Sequence, residues 1–176
     1  MRLVDFSVKI YRGKELSSGH VVMRHNAQYA LRLSNSGATR CDAEVEIDGK
    51  PVGSWRVYPR NDIFIQRPIH DRRSFTFYKL GTREAQEAKL VQSDKLGLIS
   101  VTFKPEIRSL FHNHRICFFR AGGTGLSGKN QQEFSTVKPL DYDETKFVQI
   151  NLRLVCETDE PRPLTPVSTP IPPPLL

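Results

Sequence analysis

Hydrophobic and polar positions alternate with a period of two along much of this chain. The cleanest case is Arg40 to Pro59, RCDAEVEIDGKPVGSWRVYP. Cys41, Ala43, Val45 and Ile47 share one face, and Asp42, Glu44, Glu46 and Asp48 the other, the pattern of a half-buried strand. Asp48-Gly49 then gives a strong hairpin-turn signal. Two registers are open. A two-residue turn pairs Ile47 with Lys50 and sets Trp55 opposite Asp42, on the acidic face. A bulged turn with Gly49 left-handed pairs Glu46 with Lys50 and Cys41 with Trp55, and so brings Trp55 and Val57 to the core face. At about 25 cal/mol per Å2, burying Trp55 and Val57 outweighs the few tenths of a kcal/mol that a Glu46–Lys50 pair contributes. The bulged turn is therefore expected.

The same period marks further strands. Phe6, Val8 and Ile10 alternate with Ser7 and Lys9. His20 to Arg24 can pair next. Tyr29, Leu31 and Leu33 follow, then Ile63 and Ile65, Phe75 and Phe77, Ile99 to Phe103, and Val148 to Leu154. Ile116 to Phe119 is a short apolar run. One segment breaks the rhythm: Thr82 is a helix cap, and Glu84, Ala85, Glu87, Ala88 and Lys89 are good helix formers, which predicts a short helix ending near Ser93-Asp94. There is no βαβ alternation and no internal repeat. The pattern predicts a mainly β protein, an antiparallel β-sandwich of jelly-roll or Greek-key type with one short helix.

At Glu157 the composition changes. ETDEPRPLTPVSTPIPPPLL holds seven of the chain's twelve prolines. Proline removes backbone donors and presets an extended conformation, so this segment cannot enter a sheet interior. Residues 1–156 are read as the sandwich domain and 157–176 as an extended tail. Such composition is commonly a solvated tail. It is also a stiff docking ridge, with Pro163, Pro166, Pro170, Pro172, Pro173 and Pro174 ahead of Leu175, because polyproline loses little entropy on binding.

Net charge is +7 and uneven. Residues 1–80 carry 14 Lys and Arg against 8 Asp and Glu, whereas residues 141–176 carry 3 against 6. A basic body attracts nucleic acid, acidic proteins or anionic membrane faces. Arg56, Arg60, Arg67, Arg72 and Arg73, interleaved with Tyr58, Phe64 and His70, are the strongest nucleic-acid signal, though RNA-binding signature motifs are missing and arginine also leads at protein contacts. No apolar run is long enough to span a membrane, and the N-terminal residues lack an apolar signal segment, so an intracellular location is expected. Three cysteines, Cys41, Cys117 and Cys156, fit thiols in a reducing compartment.

Candidate chemistry is incomplete wherever it occurs. Gly123 to Asn130, GTGLSGKN, has the GxxxxGK spacing of a phosphate loop, but Asn130 stands where magnesium needs a hydroxyl. Residues 130–135 offer at most a turn or two of helix after it. His112 and His114 have metal-ligand spacing, with His70, Asp71 or Cys117 as further ligands if the fold recruits them. Cys117 with either histidine lacks a third group to orient the ring. The acidic stripe Asp42–Asp48 reads as a solvated face, and Asp141, Asp143 and Glu144 as a turn.

The hairpin, RPIHDRRSFTFYKLGTREAQEA and DKLGLISVTFKPE resemble segments of a loose set of β-rich proteins of microalgae and large DNA viruses. That resemblance implies no catalytic residue. It is similar in flavour to the small modules of virus shells. The expected function is a non-enzymatic structural or assembly module, in a virion or another intracellular assembly. It would bind protein neighbours through loops, Arg60, Arg67, Arg72 and Arg73, and the proline arm. No cofactor or metal is expected. The alternatives are a nucleic-acid-binding module at Arg56–Arg73 and a nucleotide- or metal-dependent enzyme at Gly123–Lys129 or His112 and His114.

Overall fold

Alternation becomes strand wherever one side chain in two can be buried. The computed structural model describes residues 1–107 and 131–156. Among them are β1 (Arg2–Leu3), β2 (Phe6–Tyr11), β3 (Lys14–Glu15), β4 (His20–Met23), β5 (Ala27–Gln28) and β6 (Ala30–Asn35). Then come β7 (Cys41–Ile47), β8 (Lys50–Val57), β9 (Asn61–Ile65), β10 (Thr76–Phe77), α1 (Arg83–Glu87), β11 (Leu98–Pro105) and β12 (Val148–Cys156). The protein is mainly β. One sheet runs β1-β2-β6-β9, a second β3-β4-β12-β11-β7-β8, and β10 pairs with β5.

Both larger sheets supply one hydrophobic core. Phe6, Val8 and Ile10 of β2 and Leu31 and Leu33 of β6 join Val45, Val101, Phe103, Ile150 and Leu152 of the other sheet. Phe6 stacks on Phe103 with ring centroids 4.6 Å apart, which ties the two sheets together. Each such side chain stabilises by about 1.5–3 kcal/mol on burial.

The four-stranded sheet and the β10–β5 pair are antiparallel, as the alternation pattern predicts, but the six-stranded sheet is mixed. β12 lies between β11, antiparallel to it, and β4, parallel to it, with Leu154 beside Val21 and Cys156 beside Met23. The long stretch of chain between β4 and β12 permits the parallel pair, which no tight turn could connect. As a central strand, β12 is buried on both faces from Ile150 to Val155. Its polar residues are satisfied locally, since Ser100 Oγ donates to Asn151 Oδ1 at 2.8 Å and Arg153 donates to the Leu96 and Asp94 carbonyls at 2.6 and 2.7 Å.

The hairpin solves its register differently from the bulged turn expected. Asp48 and Gly49 both have positive φ, 54° and 72°, the signature of a tight two-residue turn, and Ile47 pairs with Lys50. The extra residue comes later. The ladder steps from Glu46–Pro51 to Val45–Gly53, so the bulge falls at Val52. It restores the parity that the tight turn would lose, and Trp55 pairs with Ala43 and Val57 with Cys41, all four buried. The core-face placement of Trp55 and Val57 is as expected; the device that achieves it is not.

Asp42 also departs from the solvated stripe predicted for it. It is 7% exposed. Arg56, opposite it, donates to both carboxylate oxygens at 2.8 and 3.0 Å, and the Tyr142 hydroxyl donates to Oδ2 at 2.8 Å. Arg56 also reaches the Lys138 carbonyl at 2.7 Å. The chain around 138–142 thus covers the base of the hairpin. Glu44 remains exposed and meets Lys104 at 2.5 Å.

The helix starts as expected, with Thr82 Oγ1 accepting from Ala85 N at 3.3 Å. It stops well short of Ser93. Lys89 turns left-handed with φ 54°, and Leu90 N and Lys89 N close onto the Ala85 and Gln86 carbonyls. That paired closure ends a helix whatever the propensity of the residues beyond it. Asp143 caps a 3-10 turn at Glu144–Lys146, the turn expected before the last strand.

Candidate functional site

After β10 the chain forms α1 and a loop through residues 88–97 before entering β11. This excursion stands beside the β7–β8 turn and the end of β12, and between them lies a cleft of about 480 Å3. Ile47, Phe77, Leu80, Leu90, Leu96 and Leu154 supply apolar lining, and Tyr29, Asp48, Arg153 and Cys156 supply chemistry.

Each polar group is placed by its local structure. Asp48 occupies the first turn position, and its Oδ1 accepts from Gly97 N at 2.6 Å. Burial pushes its carboxyl up, offset in part by the Gly97 amide, Lys50 and Arg153. Arg153, only 2% exposed, is held by two loop carbonyls; burial lowers its pKa, while Asp94 and Asp48 act to raise it. Tyr29 stacks on Phe75 with centroids 5.5 Å apart. Burial, then the charge of Asp48, pushes its phenol up, so the hydroxyl is a neutral donor at ordinary pH. The set can hold and orient an uncharged polar group against apolar walls. Cys156 is half-buried, and among the described residues no histidine lines the cleft.

The basic segment is not one face. Arg56 is spent on Asp42. Arg67 is buried, a correction to its place among the partner-binding arginines. It donates to the Gln132 carbonyl at 3.1 Å and to the Pro68 and Asp71 carbonyls at 2.9 and 3.1 Å, with its guanidinium 4.4 Å from the Phe134 ring centroid. Arg67 therefore fastens residues 132–134 to the end of β9. Arg73 pairs with Asp71 at 2.6 Å and holds that carboxyl down to about 2. Arg60 and Arg72 are exposed.

Gly123–Lys129, His112, His114, Cys117 and the tail prolines with Leu175 lie outside the described residues. Residues 131–140 form neither helix nor strand, so the turn or two of helix anticipated after the glycine-rich loop is not found there. Among the described residues no three His, Cys, Asp or Glu side chains gather to hold a metal, and no helix is long and apolar enough to cross a membrane.

Sequence reasoning missed the cleft. Tyr29 and Arg153 read as members of alternating strands, and Asp48 as a turn residue. The one available signal was Val155 following Leu154, which breaks the alternation and marks a strand covered on both sides. The protein is thus a mainly β scaffold with an apolar cleft that has a neutral phenol in its wall. Comparison with known proteins finds no matching family model, no matching curated protein and no matching solved structure.

Proposed function

We propose that this protein is a non-enzymatic assembly module, a β-sandwich of jelly-roll or Greek-key type that holds protein neighbours through its loops and the proline-rich arm at 157–176. The observation that carries the reading is the root of that arm. Residue 157 follows directly on β12, whose residues Ile150 to Val155 are buried without interruption between β4 and β11. A tether transmits load only if it is fixed in something stiff, and a central strand is the stiffest part of a sheet. The prolines from Pro163 to Pro174 give the arm the composition from which a low-entropy polyproline contact is expected. If the resemblance to β-rich proteins of large DNA viruses expected from the sequence holds, a particle shell is the first assembly to examine.

Light scattering of the full chain and of a form ending at Cys156 tests this. The full chain is expected to form a higher-mass species, and the shortened form to lose it with its melting transition and circular dichroism unchanged. An identical assembly state in both forms rejects the proposal.

A further inference from the structure

We propose that the cleft beside Tyr29 is a binding site for a small amphipathic molecule, one with an apolar body and a single uncharged hydroxyl or carbonyl head. The proposal goes beyond the assembly reading and does not depend on it.

Size comes first. A cleft of about 480 Å3 is within the range that encloses small ligands, roughly 300–1,000 Å3, and mainly apolar walls with a few polar groups are the usual composition of such sites. The walls come from separate elements: Ile47 from β7, Phe77 from β10, Leu90 and Leu96 from the loop after α1, Leu154 from β12. Their arrangement is fixed by backbone bonds. Gly97 N reaches Asp48 Oδ1 at 2.6 Å, and Leu154 N reaches the Gly97 carbonyl at 2.8 Å. The site is pre-formed, so a ligand would not meet the cost of assembling it.

The polar groups then choose the head. Tyr29 is 93% buried, at 7% exposure, and among the described residues its hydroxyl has no hydrogen-bond partner. Since that oxygen is not among the fully buried unmatched atoms, water in the cleft reaches it, and a ligand oxygen would take the place of that water. Two of the three charged groups of the lining, Asp48 and Arg153, are already engaged. Asp48 accepts the Gly97 amide, and Arg153 is held by the Leu96 and Asp94 carbonyls. Asp48 and Arg153 also act on each other's titration in opposite senses, so the inner lining carries compensating charge. An anionic head at Tyr29 would meet the Asp48 carboxylate. A cationic head would meet Arg153 and, among the other lining residues, Lys79. An uncharged oxygen avoids both and takes the phenol proton.

The test titrates the full chain with three fluorescent probes of one body: 2-naphthol, naphthalene and 2-naphthoate. Wild type, Tyr29→Phe and Leu96→Trp are compared, with thermal melting to confirm folding. The expected result is saturable binding with 2-naphthol tightest. Tyr29→Phe should weaken 2-naphthol about tenfold and leave naphthalene unchanged, since one buried hydrogen bond is at stake. Leu96→Trp, which fills the cleft, should weaken all three. In wild type alone, naphthol over naphthoate preference already decides the head, even if a variant fails to fold. No saturable 2-naphthol binding overturns the proposal, as does equal weakening of naphthol and naphthalene by Tyr29→Phe. Binding of 2-naphthol only after removal of residues 157–176 would assign the cleft to this chain's own arm and overturn it too. Since assembly is read separately by light scattering, failure here leaves that reading standing.

Discussion

Trp55 shows how packing and polar satisfaction can pull against each other at one residue. Its indole is 9% exposed, lies across from Ala43, and meets the Phe134 ring edge-on at 5.8 Å. Its Nε1 is buried and has no acceptor among the described residues. The ring is a large favourable contribution, and the orphaned N–H takes back about 1–3 kcal/mol of it. Trp55→Phe loses some contact area but also removes the orphan, so its stability should fall within about 1 kcal/mol of wild type. Trp55→Ala has no such offset and should cost about 3–5 kcal/mol. Urea unfolding of both variants checks this. If phenylalanine is as damaging as alanine, the indole N–H has a partner in solution and the proposed offset is wrong.

Among the elements, the junction of the β7–β8 turn, the start of β11 and the end of β12 bears the most constraint. Gly97 serves all three. Its amide goes to Asp48, its carbonyl to Leu154 N, and its φ is 74°. A Cβ there would stand 2.5 Å from the Leu154 carbonyl oxygen, a backbone atom that cannot move without breaking the pairing around it. Left-handed backbone costs a residue with a side chain about 1–2 kcal/mol before any clash. Gly97→Ala should therefore destabilise by about 3 kcal/mol or more, with amide exchange in β12 near Leu154 accelerated. A loss no larger than about 1 kcal/mol would mean that the junction relaxes freely. The same junction explains what local patterns could and could not reveal. The strands with one buried face, β2, β6, β9 and β11, were legible because every second side chain declares the core. The hairpin was legible as a hairpin, but its register depended on where one extra residue sat, and neither Gly49 nor Val52 advertises that. The helix start was written in Thr82; its stop at Lys89 was not, because a left-handed lysine has no sequence signature.

At the scale of the whole molecule, partner choice is the part that periodicity leaves open. Alternation says that β4 and β12 are strands but not that they lie side by side and parallel. The cleft's polar groups, Tyr29, Asp48 and Arg153, come from three distant stretches and meet only after folding, so each carried only its local meaning in the sequence. Asp42 was misplaced in part because the register sets Arg56 opposite it within the hairpin, and in part because Tyr142 arrives from far along the chain.

That convergence on Asp42 makes stability depend on alkali. Burial, then the hydrogen bond to Asp42, then the Asp42 charge push the Tyr142 phenol up to about 12. Burial and the same carboxylate push the Cys41 thiol, which is 0% exposed, up to about 12. Both groups have folded values above their unfolded ones, near 10 for a tyrosine and about 8.5 for a cysteine. The unfolded chain therefore releases these protons first. Their contribution is complete below about pH 8.5, declines as pH rises and is gone once it passes the folded values. Urea unfolding measured from about pH 8 to about pH 11 should show wild-type stability falling across this window. Tyr142→Phe should start lower by about 1 kcal/mol, because the bond to Asp42 is missing. Above about pH 10 it should fall less steeply, so that the two curves approach each other. Parallel curves would mean that the phenol titrates alike in both states, and that the Tyr142–Asp42 bond does not hold the 138–142 segment over the hairpin base.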